Sequence, residues 1–324
     1  MSAVESLRQG LIDRGLLDAR SATAAMTPTP RPWFISIVLG CAGWLAGVFA
    51  LIFVGVIFSP DTAPGFALTG LVLLAAAYGL YAIDRESAFF DQLALALSIA
   101  GQLAMAFAAW EATDSAAGTA ALVALLQAVL VVALPNRLAK LLSTFFACIA
   151  WALAIRFRWW GSYELDGAPE ASLLPALIGW LVIWVPIAVS AYLLIEWEAR
   201  WLTRGLQRFG RPLLSGLLIS LAIGTWVSEP FGSLQFWSNS AQTNWLALWP
   251  LLATAAALFA ATCAFRMRNR ALIGVAIAGA LLHVAQFYFL LGTTLLVKSA
   301  IMLVVGILLS VFATVLEKRA RAHE

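Results

Sequence analysis

The chain has little charge for its length. Of its 324 residues, 11% are charged and 62% are hydrophobic, whereas ordinary soluble domains carry about 25% charged residues. A soluble protein of this size needs more polar surface than 20 basic and 17 acidic residues can supply. The composition therefore excludes a soluble fold and predicts a protein that uses lipid as its solvent.

Cysteine and histidine are also scarce. Cys41, Cys148 and Cys263 lie in apolar runs without a CxxC pair, and His283 and His323 are far apart. This spacing predicts neither a disulfide framework nor a zinc site. The sequence has no HExxH, GxSxG or P-loop lysine motif. We therefore expect no catalytic residue, no metal, no cofactor and no enzymatic activity.

Long apolar runs are abundant. About 20 mostly apolar residues cross a hydrocarbon core of about 30 Å. Ten runs approach or exceed this length: 33–58, 65–83, 92–110, 116–134, 141–155, 172–195, 212–227, 244–265, 271–291 and 294–316. The sequence thus predicts an all-α, polytopic bundle of about ten transmembrane helices over 33–316. A short N-terminal segment, 1–32, and a tail, 317–324, flank this domain.

The charges between the runs predict an orientation, because basic residues are retained on the cytoplasmic side of a membrane. With a cytoplasmic N-terminus, all but three of the 20 basic residues lie in inner segments. The three exceptions are Arg156, Arg158 and Lys298. We therefore expect both termini to be cytoplasmic.

Polar side chains near one end of the last two runs form a candidate site. His283 and Gln286 are three residues apart and share a helix face, and Lys298 enters the next helix from the same side. With Tyr288, they are interpreted either as an outward-facing polar site for an anion or a lipid headgroup, or as structural residues. In the structural interpretation, His283 is hydrogen-bonded within the bundle and Lys298 extends to the outer headgroups.

Carboxylates are missing from the predicted mid-membrane positions. Asp91, Glu111, Glu196 and Glu229 all fall at the ends of predicted helices. Cation-coupled transporters usually need such a group at mid-depth, and this absence weakens that class.

Two further pairs predict contacts between helices. Gln102 and Gln127 lie near mid-depth on consecutive runs, where side-chain amides often hydrogen-bond across helices. Gly43 and Gly47 form a GxxxG motif, which permits close approach of another backbone. That approach is compatible with internal packing and with homodimerisation.

Four arginines recur at helical spacing after the sixth run: Arg200, Arg204, Arg208 and Arg211. Aromatic and apolar residues lie between them, as is typical of an amphipathic helix on the inner membrane surface. We expect these arginines to contact anionic lipids. Nucleic acid is a poor alternative partner, since the net charge is only +3.

The stretch FYFLLGTTLLVKS at 287–299 carries a family resemblance. It resembles the pattern F-Y-Y-x-L-x-x-T-L-L-x-K-S of a bacterial membrane family catalogued as domain of unknown function 4401, with Phe289 replacing the second tyrosine. Further similarities lie at Pro32-Trp33, Gly43-Trp44-Leu45, Arg85-Glu86 and Leu134-Pro135-Asn136. The resemblance covers most of the chain, and Tyr288 and Lys298 match the pattern.

The resemblance implies a polytopic protein of the bacterial cytoplasmic membrane without an established activity. It also implies a neighbouring gene for a membrane-anchored protein with a Gly-Asp-Tyr-x-x-Leu-x-Tyr motif, and hence a hetero-complex. Two functions follow as hypotheses. The first is a non-enzymatic component or scaffold of an envelope complex, and the second is a transporter or lipid-handling protein that uses the outward-facing polar site.

Overall fold

The computed structural model describes residues 33–58, 61–83, 88–160, 173–230 and 248–321. The N-terminal segment 1–32, Arg85 and the last three residues, including His323, lie outside these ranges. Predictions that concern them remain predictions.

Within the described ranges the chain forms eleven α-helices and one 3-10 helix. The α-helices are α1 Trp33–Phe58, α2 Ala63–Ile83, α3 Ala88–Thr113, α4 Ala116–Ala133, α5 Arg137–Trp160, α6 Leu173–Glu196, α7 Glu198–Thr203, α8 Gln207–Ile223, α9 Trp249–Arg266, α10 Arg270–Leu290 and α11 Leu295–Arg321. The 3-10 helix Gly224–Ser228 extends α8. The predicted all-α bundle is confirmed.

Nine helices in the described part of the chain are long and apolar enough to cross a membrane. The tenth predicted span corresponds to α11, whose described apolar stretch, Leu295–Val311, is shorter. α5 begins four residues before the predicted run and ends five residues after it. α5 is longer than its apolar run because backbone hydrogen bonds can continue into polar sequence. The apolar run itself needs only to cross the hydrocarbon core.

The prediction of one amphipathic helix through the four arginines was wrong. α7 ends at Thr203 and α8 begins at Gln207. Between them, Gly205 adopts a φ of +72°, a left-handed conformation that glycine adopts without steric cost. The arginines are therefore divided between a short helix, a turn and the first turns of α8.

α8 is the central helix of the second half of the bundle. It packs against α5, α6, α9 and α10, and its residues Leu214, Leu218 and Leu221 are fully buried. Small residues of the neighbouring helices, such as Ala152 and Ala260, complete this core. In lipid such packing is a main source of helix association, because apolar side chains gain little by leaving the lipid tails.

The first half of the bundle is organised around α3, against which α1 and α2 pack. A Cβ atom at Gly43 would lie 2.8 Å from the Phe89 backbone oxygen, and one at Gly47 would overlap Ala96. The GxxxG motif therefore serves internal packing of α1 on α3. Gln127 Nε2 donates to Gln102 Oε1 at 2.9 Å, which joins α4 to α3.

Contacts between helix ends define two faces of the bundle. Asn136 donates to Asp91 at 3.1 Å, and Arg266 pairs with Glu196 at 2.7 Å. The first contact joins the start of α3 to the start of α5. The second contact joins the end of α6 to the end of α9. We call this end the basic face, since the arginines of α7 and α8 also lie there. The end of α5, the 3-10 helix and the second half of α10 lie toward the opposite end.

Candidate functional site

A group of buried polar side chains lies between α5, α10 and the 3-10 helix. We call it the buried polar cluster, and its members are Arg156, Thr225, Ser228, Glu229, His283 and Gln286. The most exposed of them, Glu229, is 8% exposed. Because polar groups removed from water are costly unless hydrogen-bonded, the partners of each residue determine what the cluster can do.

His283 is fully buried and faces the junction of α8 with the 3-10 helix. Its Nε2 lies 3.2 Å from the Ala222 carbonyl oxygen and 3.1 Å from Thr225 Oγ1. A carbonyl oxygen only accepts, so Nε2 carries the proton. In the neutral ring, Nδ1 is then an acceptor, and it has no hydrogen-bond partner among the described residues. Trp226 contacts the ring edge-on, with centroids 5.3 Å apart.

Gly279 permits the contact between His283 and the Ala222 carbonyl oxygen. Gly279 lies one turn before His283 on α10, and a Cβ there would overlap the Ala222 carbonyl oxygen. α10 can therefore approach the end of α8 closely enough for His283 to reach a backbone carbonyl.

Glu229 and Gln286 form the second part of the cluster. Gln286 Nε2 donates to Glu229 Oε2 at 2.7 Å, and the Gln286 side chain also lies beside His283. Arg156 Nη1 donates to the Glu229 backbone oxygen at 2.9 Å. Burial raises the pKa of the Glu229 carboxyl to about 8, while the hydrogen bond from Gln286 and the charge of Arg156 act in the opposite direction.

The 3-10 helix that carries these groups is held from α6. Trp184 Nε1 donates to Ser228 Oγ at 2.6 Å, and Ser228 Oγ donates to the Thr225 carbonyl oxygen at 2.9 Å. A fully buried tryptophan therefore fixes the turn that precedes Glu229.

Three atoms of the cluster have no hydrogen-bond partner among the described residues: Glu229 Oε1, Gln286 Oε1 and His283 Nδ1. The amide oxygen and the ring nitrogen are acceptors, and Glu229 Oε1 is an acceptor when the carboxyl is ionised and a donor when it is protonated. Acceptors of this kind suit a water molecule, an alkali cation or another hydrogen-bond donor. The part of the chain that the structure describes contains no group of three or more His, Cys, Asp or Glu side chains that could hold a metal ion.

The structure divides the four predicted polar residues into two pairs. His283 and Gln286 lie in the buried polar cluster, whereas Lys298 Nζ lies 5.0 Å from the Tyr288 ring centroid. This is the geometry of a cation–π contact. No hydrogen bond or ring contact recorded for the described residues joins one pair to the other.

The predicted site did not include Arg156 and Glu229, because the apolar runs ended shortly before them, at residues 155 and 227. The sequence assigned Arg156 to a connection after residue 155, but α5 continues to Trp160. One additional helical turn, on a helix that packs against the 3-10 helix, places Arg156 inside the bundle. A search for charges within one turn of each predicted span end would have found both residues.

The four arginines predicted to contact lipid are all exposed on the basic face. Arg211 Nη2 lies 3.9 Å from Glu198 Oε1, and this ion pair joins α8 to α7.

The three cysteines, Cys41, Cys148 and Cys263, are free thiols.

In the described ranges, nine long apolar helices, polar groups enclosed between them and arginines at one end define a polytopic α-helical membrane protein. The chain matches a family model described as "Domain of unknown function (DUF4401)" over residues 32–246 and 240–319. It therefore belongs to that family. A search of curated proteins gave no match, and neither did a search of solved structures.

Proposed function

We propose that the protein is a non-enzymatic component of a complex in the bacterial cytoplasmic membrane, with its basic face toward the cytoplasm. The orientation is supported by the arginines at the basic face and the rule that basic residues stay inside. The assignment to a complex is supported by the packing of the last helix.

α11 has far less helix packing than α8. No described side chain of α11 is buried, and Leu296 and Leu303 are 80% and 66% exposed. Ile301 and Met302 touch Phe287 and Leu291, so one face rests on the end of α10. Exposure to lipid has little cost for apolar side chains, but a helix that is packed along one face gains only part of the packing that stabilises helix association. The remaining faces of α11 are available to a helix of another protein.

We propose that the occupant is the membrane-anchored protein that the family resemblance implies. Photo-crosslinking at native expression tests this assignment. A crosslinker at Leu303 should give one discrete adduct with that neighbour, whereas a crosslinker at Leu125, 64% exposed on α4, should not. An absence of the adduct from Leu303, with the neighbour expressed, would remove the support for a complex through α11.

The buried polar cluster favours a second function, transport or lipid handling through an outward-facing polar site. Its three polar atoms without a partner among the described residues are the observation in its favour. Sodium and proton uptake into proteoliposomes should fall in Glu229→Gln and His283→Ala if the cluster forms part of a pathway. Glu111→Gln, an exposed carboxylate of α3, serves as control. Equal uptake in all variants and in empty vesicles would exclude cation transport through the cluster.

Lys298→Ala separates the two pairs of polar residues. If Lys298 and Tyr288 form the entrance for an anionic headgroup, binding of anionic lipid should fall without a change in cation uptake. Unchanged lipid binding would restrict the role of Lys298 to its cation–π contact.

A further inference from the structure

Two cavities open side by side on the basic face, each of about 350 Å³. Tyr81, Asp91, Asn136, Arg137 and Arg208 line the first. The second lies between α5 and α8, with Arg137, Gln207, Arg211 and Ser215 beside the apolar Leu138 and Leu141. Arg137 lines both cavities, so they are adjacent at this residue.

Asn136 fixes the floor of the first cavity. Its Oδ1 accepts from the backbone N–H groups of Leu138 at 2.7 Å and Ala139 at 3.2 Å, and so caps α5. Its Nδ2 donates to Asp91 Oδ1 at 3.1 Å. The capping residue therefore positions Arg137, the first residue of α5, and holds the Asp91 carboxylate in the same cavity.

A contact between α5 and α8 sets the position of the other arginines. Lys140 Nζ on α5 lies 4.9 Å from the centroid of the Phe209 ring on α8. Phe209 lies between Arg208 and Arg211 in the sequence. The first turn of α8 is thus held against the first turn of α5, and arginine residues of both helices line the two cavities.

Tyr81 supplies an independent observation. It is 3% exposed and lines the first cavity, and its hydroxyl has no hydrogen-bond partner among the described residues. A buried hydroxyl without a partner is costly. Its position at a cavity lined by two arginines makes it a donor for a bound oxyanion.

The charges and the apolar lining indicate the class of ligand. Three arginines and one aspartate give the paired cavities a positive balance, and guanidinium groups match phosphate oxygens in geometry. Leu138 is 44% exposed and lines the second cavity beside Arg137 and Arg211. It offers an apolar surface to an acyl chain that extends from a bound headgroup.

We propose that the paired cavities bind the phosphate group of a phospholipid headgroup, with Arg137 at the centre and Arg208, Arg211 and the Tyr81 hydroxyl around it. The site differs from a diffuse surface attraction, because it combines a buried donor with arginines from two helices. It stands independently of the complex proposed above.

Native mass spectrometry of the full-length protein in neutral detergent tests the site. The added probes are phosphatidylethanolamine, phosphatidylglycerol and inorganic phosphate. Arg137→Ala should weaken phospholipid binding about tenfold, and Tyr81→Phe, which removes only the hydroxyl, about threefold. Arg204→Ala is the matched control, since Arg204 is exposed on the same face but lines neither cavity. It should change binding by less than about twofold.

Two results would overturn the proposal. Equal losses in Arg137→Ala and Arg204→Ala would show a diffuse attraction to the whole face. Inorganic phosphate that binds as tightly as either lipid, or displaces it at equal concentration, would assign the cavities to a soluble phosphate. A thermal melt of each variant establishes that it is folded, and Arg137→Gln provides a second variant that retains polar bulk.

Discussion

Arg137 and Arg156 lie near opposite ends of the same helix, in opposite environments. They are 19 residues apart, which corresponds to about 28 Å of helix rise. Arg156 is 2% exposed and donates to the Glu229 backbone at 2.9 Å. Arg137 is exposed and lines two open cavities. The same residue type therefore has a structural partner at one end of α5 and room for a ligand at the other.

The difference follows from the cost of desolvation. A buried guanidinium loses its hydration and must recover hydrogen bonds inside the protein, so its partners and the local packing depend on each other. An exposed guanidinium keeps its hydration, and its removal has little effect on folding. Stability measurements should therefore detect changes at the Arg156 end of α5, and binding measurements changes at the Arg137 end.

The largest effect is expected for Arg156→Ala. Loss of a buried hydrogen bond from a charged group typically costs about 1.5–3 kcal/mol, and truncation of this buried side chain also leaves a cavity. The melting temperature of the variant in detergent should lie well below that of the wild type. The free energy of unfolding of Arg137→Ala should lie within about 0.5 kcal/mol of the wild-type value. If the two variants lost equal stability, the contrast between the ends of α5 would be wrong.

Glu229→Gln should change the pH dependence of stability. The pKa of Glu229 is raised in the folded protein from its ordinary value of 4.5 to about 8. Its neutral form therefore favours folding below pH 4.5, and this contribution is lost as the pH rises through about 8. The melting temperature of the wild type should fall by several degrees across that range, and that of Glu229→Gln should fall less.

Thermal melts at both ends of the range measure this difference. Glu111→Gln controls for the loss of a carboxylate elsewhere in the chain. Parallel pH profiles for wild type and Glu229→Gln would mean that the carboxyl is not buried in the membrane-embedded protein.

Gly279→Ala tests the close approach of α10 to α8. The new Cβ would lie 3.0 Å from the Ala222 carbonyl carbon, and overpacking of this kind costs about 1–3 kcal/mol. Gly274→Ala lies on the same helix, where the added methyl group would meet no atom within 4 Å, and this variant should be neutral or more stable. A stable Gly279→Ala variant would argue against the His283 contact with Ala222.

The smallest effect is expected at the basic face itself. Lys140→Met keeps most of the side chain but removes the charge above Phe209, and an exposed cation–π contact contributes about 0.5–1 kcal/mol. Thermal melts should show a correspondingly small loss. A loss as large as that of Arg156→Ala would place the basic face among the structural parts of the fold.

The sequence predicted the helices well because each span must satisfy its backbone hydrogen bonds within a stretch of apolar residues. Most helices begin and end within a few residues of the predicted runs. The exceptions are informative. α5 is nine residues longer than its run, and the arginine-rich segment breaks at Gly205. In both places polar sequence is compatible with helix and with turn, and tertiary contacts decide between them.

The candidate site was predicted only in part. His283 and Gln286 could be found because polar residues in an apolar run are conspicuous. The pairing of these residues with Arg156 and Glu229 could not be predicted, because those two charges lie far away in sequence and only the tertiary structure brings them to α10. The hydroxyl of Tyr81 gave no signal at all, since a tyrosine near a span end is ordinary in membrane proteins.

By itself the sequence determined that the chain resides in lipid, that it is helical and where its helices run, because each of these depends on local composition. The tertiary structure alone decided which charges are enclosed and which are open. That decision depends on the approach of segments distant in sequence, such as Gly279 to Ala222 and Arg137 to Arg208. Burial, and with it the difference between a structural arginine and one placed for a ligand, is a property of such contacts.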